Sequence, residues 1–422
     1  KMLTQGRNKM NNENIKIENE NKKHLFKRIF VIVTDSLGVG ALPDALKYGD
    51  QGSNTLEHIA NTVPSFKAPF LEELGMGSLI NSERLKPVAF PKAFVTKLQE
   101  VSVGKDTLTG HFELMGLKVT KAFPSFTDTG FPKELIEKLE KYSNRPVIGN
   151  VAASGTEIMK ELGEEQIRTG ALIVYTSADS VLQIAANEEV VPLEELYKIC
   201  EYARKITIEN PKWMVGRIIA RPFVGKTADT FTRTTNRHDY AIKPFSKTML
   251  DVLAENKYDV IAIGKINDIF DGEGVTSAFR TKNNKEGMLI ATEMLNKDFT
   301  GLCFTNLVDF DALYGHRRDP YGYAKAIMDF DKDLKEFCSK MQDTDLVMVV
   351  ADHGNDPTHT GTDHTREYVP LICYHNAIKG ATAPAFVSHA CVAQTIAENF
   401  KLQAPDPNLG VSLMKYIKSE EK

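Results

Sequence analysis

The stretch DLVMVVADHG, residues 345–354, is an unbroken apolar run that ends in an acid and a histidine. Similar runs occur in FVIVTDSLGVG (30–40), YDVIAIGK (258–265) and LCFTNLVDFDALYGH (302–316). Continuous rather than alternating apolar strands are typical of strands that are buried on both faces, as in a parallel sheet covered by helices. Segments with apolar residues at helical spacing lie between these runs. The pattern therefore predicts an open, doubly wound and mostly parallel α/β sheet.

The middle of the chain has a different pattern. Between residues 122 and 240 the predicted strands are shorter, and sheet-type strands resume after this segment. We therefore predict a discontinuous core domain, 28–121 and 241–422, with a smaller α+β domain inserted at 122–240. Residues 1–27 are rich in Asn, Lys and Glu and lack an apolar segment, so we expect a disordered leader outside the fold.

The composition excludes several classes of protein. The 422 residues are 42% hydrophobic and 26% charged with a net charge of −4, which is typical of a globular protein and not of a dedicated nucleic-acid binder. The five cysteines are widely spaced and form no CxxC, which favours reduced core thiols over disulfides or a zinc ribbon. No apolar run approaches the roughly 18 residues of a membrane span. We expect a cytoplasmic protein without nucleic-acid or membrane partners, and its oligomeric state stays open.

Acids and histidines collect just beyond the predicted strands. Open α/β sheets bind ligands at the carboxyl ends of their strands, and carboxylates and neutral imidazoles are common ligands of divalent metals. Taken singly, each of these residues would be an ordinary turn or capping residue. As a set they are enough for two ions in one cleft, which suits phosphoryl chemistry. The candidate ligands are Asp35, Asp311, His316, Asp352, His353 and His364.

Three residues close to these ligands in sequence remain ambiguous. His359 and Asp356 belong to the same loop as His364 and could support a ligand from outside the metal shell. Asp309 precedes Asp311 by two residues and is either an alternative ligand or a partner at the strand end.

The segment VGKDTLTGHFELMG, residues 103–116, predicts a threonine hydroxyl at a helix N-terminus. Backbone N–H groups and the helix dipole favour a phosphate there, and a hydroxyl beside two metal ions could attack phosphorus. The simpler alternative is that Thr107 or Thr109 is an N-cap. The local sequence alone favours the cap.

The inserted domain carries candidate substrate contacts. Arginines in the basic segment 212–237 could bind an anionic substrate through Arg–phosphate pairs, but a solvated basic face or a weak RNA-binding strip is the alternative. Lys265, in the core domain, could join the same phosphate contact. Ser177 and Asp179 follow a predicted strand and could bond a sugar, although an ordinary turn explains them equally well.

Taken together, these segments resemble the bacterial phosphopentomutases, a family of the alkaline phosphatase superfamily. The resemblance extends from about Arg28 to the C-terminal helix. It implies an alkaline-phosphatase-like core with a doubly wound, mostly parallel sheet flanked by helices, and an inserted α+β cap domain. The motifs that carry it are, in order, FVIVTDSLGVGALPDA, GKDTLTGHFELMG, ASGTEIMKELGEE, YTSADSVLQIAANEE, GRIIARPFVG, FTRTTNRHDYA, GKINDIFDGEG, NLVDFDALYGHRRDP and ADHGNDPTHTGTDHTREYVP.

The resemblance also implies roles for individual residues. Two Mn²⁺ ions are implied, one surrounded by Asp35, Thr107, Asp352 and His353 and the other held by Asp311, His316 and His364. Thr107 becomes the nucleophile, which carries a phosphoryl group in the active enzyme. The implied contacts to ribose are Ser177 and Asp179, and those to the distal phosphate are Arg217, Arg233 and Lys265.

The implied activity is that of an isomerase, an intramolecular phosphotransferase of nucleoside catabolism. It would interconvert α-D-ribose 1-phosphate and D-ribose 5-phosphate, and the 2-deoxyribose equivalents, through a pentose 1,5-bisphosphate. Glucose 1,6-bisphosphate or ribose 1,5-bisphosphate would act as activator. Two other kinds of enzyme, a metal-dependent phosphatase and a phosphoglycerate mutase, could use the same two-metal core. The alternative that is not an enzyme is a non-catalytic manganese-binding module.

Overall fold

The computed structural model describes residues 24–177 and 179–418. The chain divides into two compact units, of which one is Lys121–Lys243 and the other comprises the residues up to Thr120 and from Pro244 onward. That residues 122–240 act as a cap stays a prediction.

Strands and helices alternate along much of the chain. The strands are β1 (Arg28–Thr34), β2 (Phe94–Gln99), β3 (Val147–Ala152), β4 (Leu172–Thr176), β5 (Val181–Asn187), β6 (Arg217–Val224), β7 (Thr232–Arg233), β8 (His238–Ala241), β9 (Asp259–Ile263), β10 (Ser277–Phe279), β11 (Gly301–Leu307), β12 (Asp345–Val350), β13 (Val369–Tyr374), β14 (Ala381–Thr382) and β15 (Phe386–Val387). The α-helices are Thr55–Thr62, Pro69–Leu74, Thr107–Leu114, Lys133–Ser143, Gly155–Thr169, Leu193–Glu209, Met249–Glu255, Ile266–Ile269, Asn284–Met294, Pro320–Ser339, Cys391–Phe400 and Met414–Ile417. Two 3₁₀ helices, Ala45–Tyr48 and Met76–Leu79, and one π-helix, Phe310–Gly315, complete the described elements.

The larger unit contains a nine-stranded sheet of order β10-β9-β11-β1-β12-β13-β2-β14, with β15 also paired to β2. The five strands from β10 to β12 are mutually parallel. Every residue of β1, β11 and β12 is buried, which is why these segments read as unbroken apolar runs. The predicted α/β fold with a mostly parallel sheet is confirmed.

Strand β13 differs in direction from the strands around it. Its sequence, VPLICY, is almost fully buried, yet it pairs antiparallel with both β12 and β2. An unbroken apolar sequence indicates that both faces of a strand are buried, but it does not determine whether the strand runs parallel or antiparallel to its neighbours. The connection through residues 351–368 returns the chain directly from β12, so no crossover helix is needed.

The smaller unit contains a six-stranded mixed sheet of order β3-β4-β5-β6-β7, with β8 paired to β6. One apolar cluster joins one face of this sheet to the helices Lys133–Ser143 and Leu193–Glu209. A smaller cluster joins the other face to the helix Gly155–Thr169 and is built around Tyr175 and Phe223.

The predicted leader, residues 1–27, lies outside the described residues as far as residue 23. Its last residues are ordered. Phe26 is buried, its backbone N–H donates to the Asn399 side chain, and its carbonyl accepts from the same side chain, both at 2.8 Å. Ordered contacts therefore begin before Arg28, because this short segment is held by the C-terminal part of the unit.

The sequence predicts reduced core thiols and no membrane span, and the structure bears on both predictions. All five cysteines are buried and unpaired thiols. Among residues 24–177 and 179–418, no helix combines the length and the apolar character needed to cross a membrane.

The first residues of β1 and β12 form a buried ion pair. Arg28 donates from Nε and Nη2 to the two carboxylate oxygens of Asp345, both at 2.7 Å. The Nη1 group of Arg28 also donates to the carbonyls of Leu295 and Lys297, at 2.9 and 2.7 Å. This bidentate pair holds the two central strands in register at the edge opposite to the candidate ligands.

We expect Asp345→Asn to lower the free energy of unfolding by about 3–5 kcal/mol, because it leaves the Arg28 charge buried without a counter-ion. Urea denaturation followed by circular dichroism would measure the loss. Asp298→Asn is the matched control, since Asp298 pairs with Lys27 on the surface, and it should leave the urea midpoint unchanged. Equal midpoints for the two variants would contradict the structural importance of the buried pair.

Candidate active site

Two neighbouring parallel strands bring the first group of candidate ligands together. Strand β1 ends at Thr34, and Asp35 follows directly. Strand β12 ends at Val350, and Asp352 and His353 follow it. Because β1 and β12 are paired in parallel, their carboxyl ends lie at the same edge of the sheet.

The second group comes from β11 and from the loop after β12. Strand β11 ends at Leu307 and leads into the π-helix Phe310–Gly315, which carries Asp311 and is followed by His316. Such wide helical turns are frequent at functional sites. His364 reaches the same edge from the loop between β12 and β13.

Asp35, Asp352 and His353 form the first cluster. One candidate ligand atom from each lies within 4.8 Å of the others, and all three side chains are buried. Asp35 Oδ1 and Asp352 Oδ2 accept no hydrogen bond from any described residue. A buried carboxylate oxygen without a donor is costly, so these two atoms are suited to a cation.

Asp311 and His364 form the second cluster, again together with His353. His316 joins them, because its Nε2 lies 3.2 Å from Asp311 Oδ2 and 3.0 Å from His364 Nε2. The rings of His353 and His364 are stacked with centroids 3.8 Å apart. The two clusters are therefore adjacent.

Backbone hydrogen bonds orient the three imidazoles. A carbonyl only accepts, so each Nδ1 that bonds to one carries the proton and leaves the Nε2 lone pair for the cluster. This is the usual arrangement of metal-binding histidines. The three bonds run from His353 to Gly354, from His364 to Lys105 and from His316 to Thr362, at 2.9, 2.9 and 2.7 Å.

The electrostatics of the site also favour bound cations. Burial raises the pKa of Asp35 to about 7, and the charges of Asp352 and Asp311 add to the rise. Burial would raise the pKa of Asp311 too, but His316 and His364 hold it well below its usual range. Divalent cations among these groups would offset the carboxylate repulsion. The residues present thus fit two divalent metal ions, and the mixed oxygen and nitrogen donors are compatible with Mn²⁺ and with Zn²⁺.

Two asparagines that the sequence analysis missed orient the carboxylates. Asn306 donates from Nδ2 to Asp35 Oδ2 at 2.9 Å, and Asn355 donates from Nδ2 to Asp311 Oδ1 at 2.7 Å. Each bond fixes one oxygen of the carboxylate and leaves the other to face the cluster. The position of Asn306 inside the buried strand β11 was a usable signal, since a polar residue in such a strand needs a partner.

Thr107 is the first residue of the helix Thr107–Leu114, but the N-cap is Asp106. The Asp106 carboxylate accepts from the backbone N–H of Thr109 at 3.0 Å and from its hydroxyl at 2.6 Å. The interpretation of either threonine as the cap is therefore wrong. Thr107 has no capping role, and its hydroxyl lies 3.4 Å from Nε2 of His353, which belongs to both clusters of candidate metal ligands.

A buried arginine, also missed from the sequence, holds the loop that precedes Thr107. Arg366 donates from Nη1 to the carbonyl of Gly104 at 2.6 Å and to Glu100 Oε2 at 2.8 Å. Its Nε and Nη2 both bond to the carboxylate of Asp44 at 3.1 Å. These contacts tie the loop to two other segments and thereby position the first turn of the helix Thr107–Leu114.

The three ambiguous acids and histidines have other partners. Asp356 accepts from His58 Nδ1 at 2.6 Å, which raises the pKa of His58. His359 bonds through Nε2 to a backbone carbonyl at 3.1 Å. Asp309 accepts from the first backbone N–H of the helix Asn284–Met294 at 2.8 Å. In the described part of the chain none of the three belongs to a group with metal-binding geometry.

The candidate substrate contacts lie in both units. Ser177 and Asp179 follow β4, Arg217 begins β6 and Arg233 ends β7, all within Lys121–Lys243. Lys265 follows β9. Because β9 is parallel to β11, Lys265 lies at the same edge of the large sheet as the candidate metal ligands. The roles of these five residues stay predictions.

Comparisons with known proteins place these features in a family. A family model described as the metalloenzyme superfamily matches residues 27–404. Among solved structures, the PH0037 protein from Pyrococcus horikoshii is 12% identical, with 89% of this chain and 97% of that chain covered and a TM-score of 0.47. Phosphoglycerate mutase from Leishmania mexicana is 13% identical, with 93% and 98% covered and a TM-score of 0.46. A protein in the alkaline phosphatase superfamily from Vibrio parahaemolyticus is 11% identical, with 94% and 71% covered and a TM-score of 0.44.

We expect the purified chain to bind two Mn²⁺ ions, and His364→Ala to lose one of them while His359→Ala keeps both. His364 lies in a buried cluster and His359 lies outside it, although both belong to the same loop. Metal content after desalting, measured by mass spectrometry, would test this. Loss of metal from the His359 variant, or full content in the His364 variant, would contradict the assignment.

Chelation should destabilise the protein in a pH-dependent way. Because the folded-state pKa of Asp35 is about 7, above its ordinary value of 3.8, the protonated form contributes stability that is lost as the pH rises from about 4 through about 7. The chelated chain should therefore melt at a lower temperature at pH 8 than at pH 6. Saturating Mn²⁺ should raise the midpoint by several degrees and abolish this slope. A chelated midpoint that rises with pH would refute the expectation.

Proposed function

We propose that this chain, which belongs to the metalloenzyme superfamily, is a phosphopentomutase that interconverts α-D-ribose 1-phosphate and D-ribose 5-phosphate. The observation that carries the proposal is the Thr107 hydroxyl at a helix N-terminus, next to two buried clusters that can each hold a metal ion. The sequence motifs that resemble bacterial phosphopentomutases support the sugar specificity. The 2-deoxyribose phosphates are proposed as alternative substrates.

The residues around Thr107 are suited to phosphoryl transfer. The helix Thr107–Leu114 presents first-turn N–H groups and the positive end of its dipole to an incoming phosphate. The Thr107 hydroxyl can donate to His353 Nε2, which orients it. Two bound divalent cations, proposed to be Mn²⁺, would neutralise the charge of the phosphate and would favour the ionised form of the Thr107 hydroxyl. Positioning and electrostatics supply most of the rate enhancement in such reactions.

The proposed cycle begins with phosphothreonine at position 107. The free hydroxyl of the bound monophosphate attacks this phosphorus, the bond between phosphorus and Thr107 Oγ1 breaks, and the proton of the attacking hydroxyl passes to Thr107 Oγ1. The product is a pentose 1,5-bisphosphate. Thr107 then attacks the other phosphate of this bisphosphate, which regenerates phosphothreonine and releases the isomeric monophosphate. Glucose 1,6-bisphosphate or ribose 1,5-bisphosphate would supply the first phosphoryl group.

Contacts to the rest of the substrate are assigned within the same proposal. Ser177 and Asp179 would bond the ribose hydroxyls. Arg217, Arg233 and Lys265 would bind the phosphate that is not reacting, because planar Arg–phosphate pairs and a lysine charge suit a dianion.

Incubation with Mn²⁺ and glucose 1,6-bisphosphate should place one phosphate on Thr107, because its hydroxyl lies 3.4 Å from His353 Nε2 whereas the Thr109 hydroxyl is bonded to Asp106. Peptide mapping by mass spectrometry would locate it. Thr107→Val should abolish the label and lower kcat for ribose 1-phosphate isomerisation by at least roughly a thousandfold.

Thr109→Ser is the matched control, since it retains a hydroxyl for Asp106 and should still be labelled at Thr107. Phosphate on residue 109, or no label at all, would refute the mechanism. Phosphorus NMR of the reaction with ribose 1-phosphate separates the enzymatic alternatives, because release of inorganic phosphate without ribose 5-phosphate would identify a phosphatase.

A further inference from the structure

A buried histidine lies between the helix Thr107–Leu114 and the first cluster of candidate metal ligands. His111 belongs to the second turn of this helix, and its side chain is fully buried. A polar group away from water is costly unless it is hydrogen-bonded, so both ring nitrogens of a buried imidazole need partners. Both nitrogens of His111 have one, and these partners indicate what the residue does.

The Nε2 atom of His111 accepts a hydrogen bond from the side-chain amide of Asn306. The Nδ2 atom of Asn306 lies 3.2 Å from His111 Nε2 and 2.9 Å from Asp35 Oδ2. A carboxylate accepts hydrogen bonds, so the atom that bonds to Asp35 is the amide nitrogen, and its second hydrogen is available for the imidazole. One amide group thus joins His111 to a candidate metal ligand.

The Nδ1 atom of His111 carries the ring proton and bonds to the backbone of Thr107. It lies 2.9 Å from the Thr107 carbonyl oxygen, which can only accept. A neutral imidazole has one donor and one acceptor, so the contacts of Nδ1 and Nε2 require the same tautomer. Nδ1 also lies 3.2 Å from Asp352 Oδ2. His111 therefore connects the backbone of Thr107 to the amide that bonds to Asp35.

The residue before His111 allows the helix to approach the cluster closely. Gly110 packs against the backbone of Asp352, and an added Cβ would collide with the Asp352 carbonyl oxygen. Glycine inside a helix is unfavourable by itself, and here it removes the side chain that would push the helix away. The second turn of the helix is thus held against the cluster by packing at Gly110 and by hydrogen bonds at His111.

The first turn of the helix benefits from such a restraint. Helix ends fray, because their terminal backbone groups lack partners within the helix. Asp106 holds the backbone N–H of Thr109, and His111 holds the carbonyl of Thr107 itself. In a reaction that depends on alignment, a displacement of about 1 Å can lower the rate about a hundredfold. A bond that fixes Thr107 relative to the metal ligands therefore bears on its reactivity.

We propose that His111 is a positioning residue, which fixes the backbone of Thr107 relative to the Asp35 carboxylate through its Nδ1–H tautomer and through Asn306. It acts through the position of Thr107 and not through contact with the substrate. The role of Thr107 as the attacking group rests on the proposed function, whereas the restraint on the first helix turn does not.

The kinetic test compares two variants of the full chain loaded with Mn²⁺. His111→Phe keeps a buried ring and removes both hydrogen bonds, whereas His111→Asn places an N–H near the position of Nδ1 and retains the bond to Thr107. We expect His111→Phe to lower kcat and the single-turnover rate of Thr107 phosphorylation by glucose 1,6-bisphosphate about 10–100-fold. KM for ribose 1-phosphate should change less than about twofold, and both metal ions should be retained. His111→Asn should recover most of the lost rate.

His375→Phe is the matched control for the loss of a buried histidine. His375 follows β13 at the edge of the sheet opposite to the candidate ligands, and its Nε2 donates to the carbonyl of Ile417 at 2.7 Å. This variant should lower the thermal midpoint and leave kcat at the parent value.

Hydrogen–deuterium exchange of the chelated chain provides a measurement that needs no activity. The peptide that spans residues 104–112 should exchange faster in His111→Phe than in the parent or in His375→Phe, because the first helix turn opens more often. In His111→Asn the same peptide should exchange as in the parent.

The tautomer of His111 can be measured in the parent chain itself. A long-range ¹H–¹⁵N spectrum of the chelated, ¹⁵N-histidine-labelled chain should show His111 protonated on Nδ1, with its signals assigned by their absence from His111→Asn. Protonation on Nε2 would overturn the proposal even if His111→Phe does not fold.

The proposal is also overturned if residues 104–112 exchange equally in His111→Phe and the parent. In a chain that isomerises ribose 1-phosphate, it is overturned if kcat of His111→Phe is no lower than that of His375→Phe, or if its loss is explained by lost Mn²⁺. Faster exchange together with a lower kcat and full metal content supports it. Faster exchange in a chain whose parent does not isomerise ribose 1-phosphate means that the positioning role stands and the proposed function fails.

Discussion

Three buried carboxylates at the ends of adjacent parallel strands gather negative charge at one edge of the large sheet. Asp35, Asp311 and Asp352 follow β1, β11 and β12, and their mutual repulsion adds to the burial that raises the pKa of Asp35 to about 7. The nearby histidines present Nε2 lone pairs, because their Nδ1 atoms donate to carbonyls. Cations at this edge satisfy both sets of groups. The parallel strands that build the core thus also build the site.

The surrounding residues restrict the geometry of this edge. Asn306 and Asn355 each bond one carboxylate oxygen, so the remaining oxygens point into the clusters. Arg366 holds the loop before the helix that starts at Thr107. Fixed ligand atoms and a fixed Thr107 helix suit phosphoryl transfer, in which alignment and electrostatics contribute most of the catalysis.

Sequence patterns predicted the strand-end residues because burial and strand ends are local properties. The apolar run before Asp352 predicted a buried strand, and its acid and histidine were therefore expected at the carboxyl end of that strand. The same reasoning did not reveal the direction of β13, since antiparallel and parallel strands can be equally buried.

The amino-acid sequence by itself determined which segments are buried, where they end and which metal-binding side chains follow them, because each of these depends on neighbouring residues. Only the tertiary structure decided that His353 contributes to both clusters while His359 bonds elsewhere. It also decided that Asp106 caps the helix and leaves Thr107 beside His353. The Asp106 cap is local, but the contacts of Thr107 with His353 and of His359 with its carbonyl partner join segments that are hundreds of residues apart. Packing, not local propensity, sets those distances.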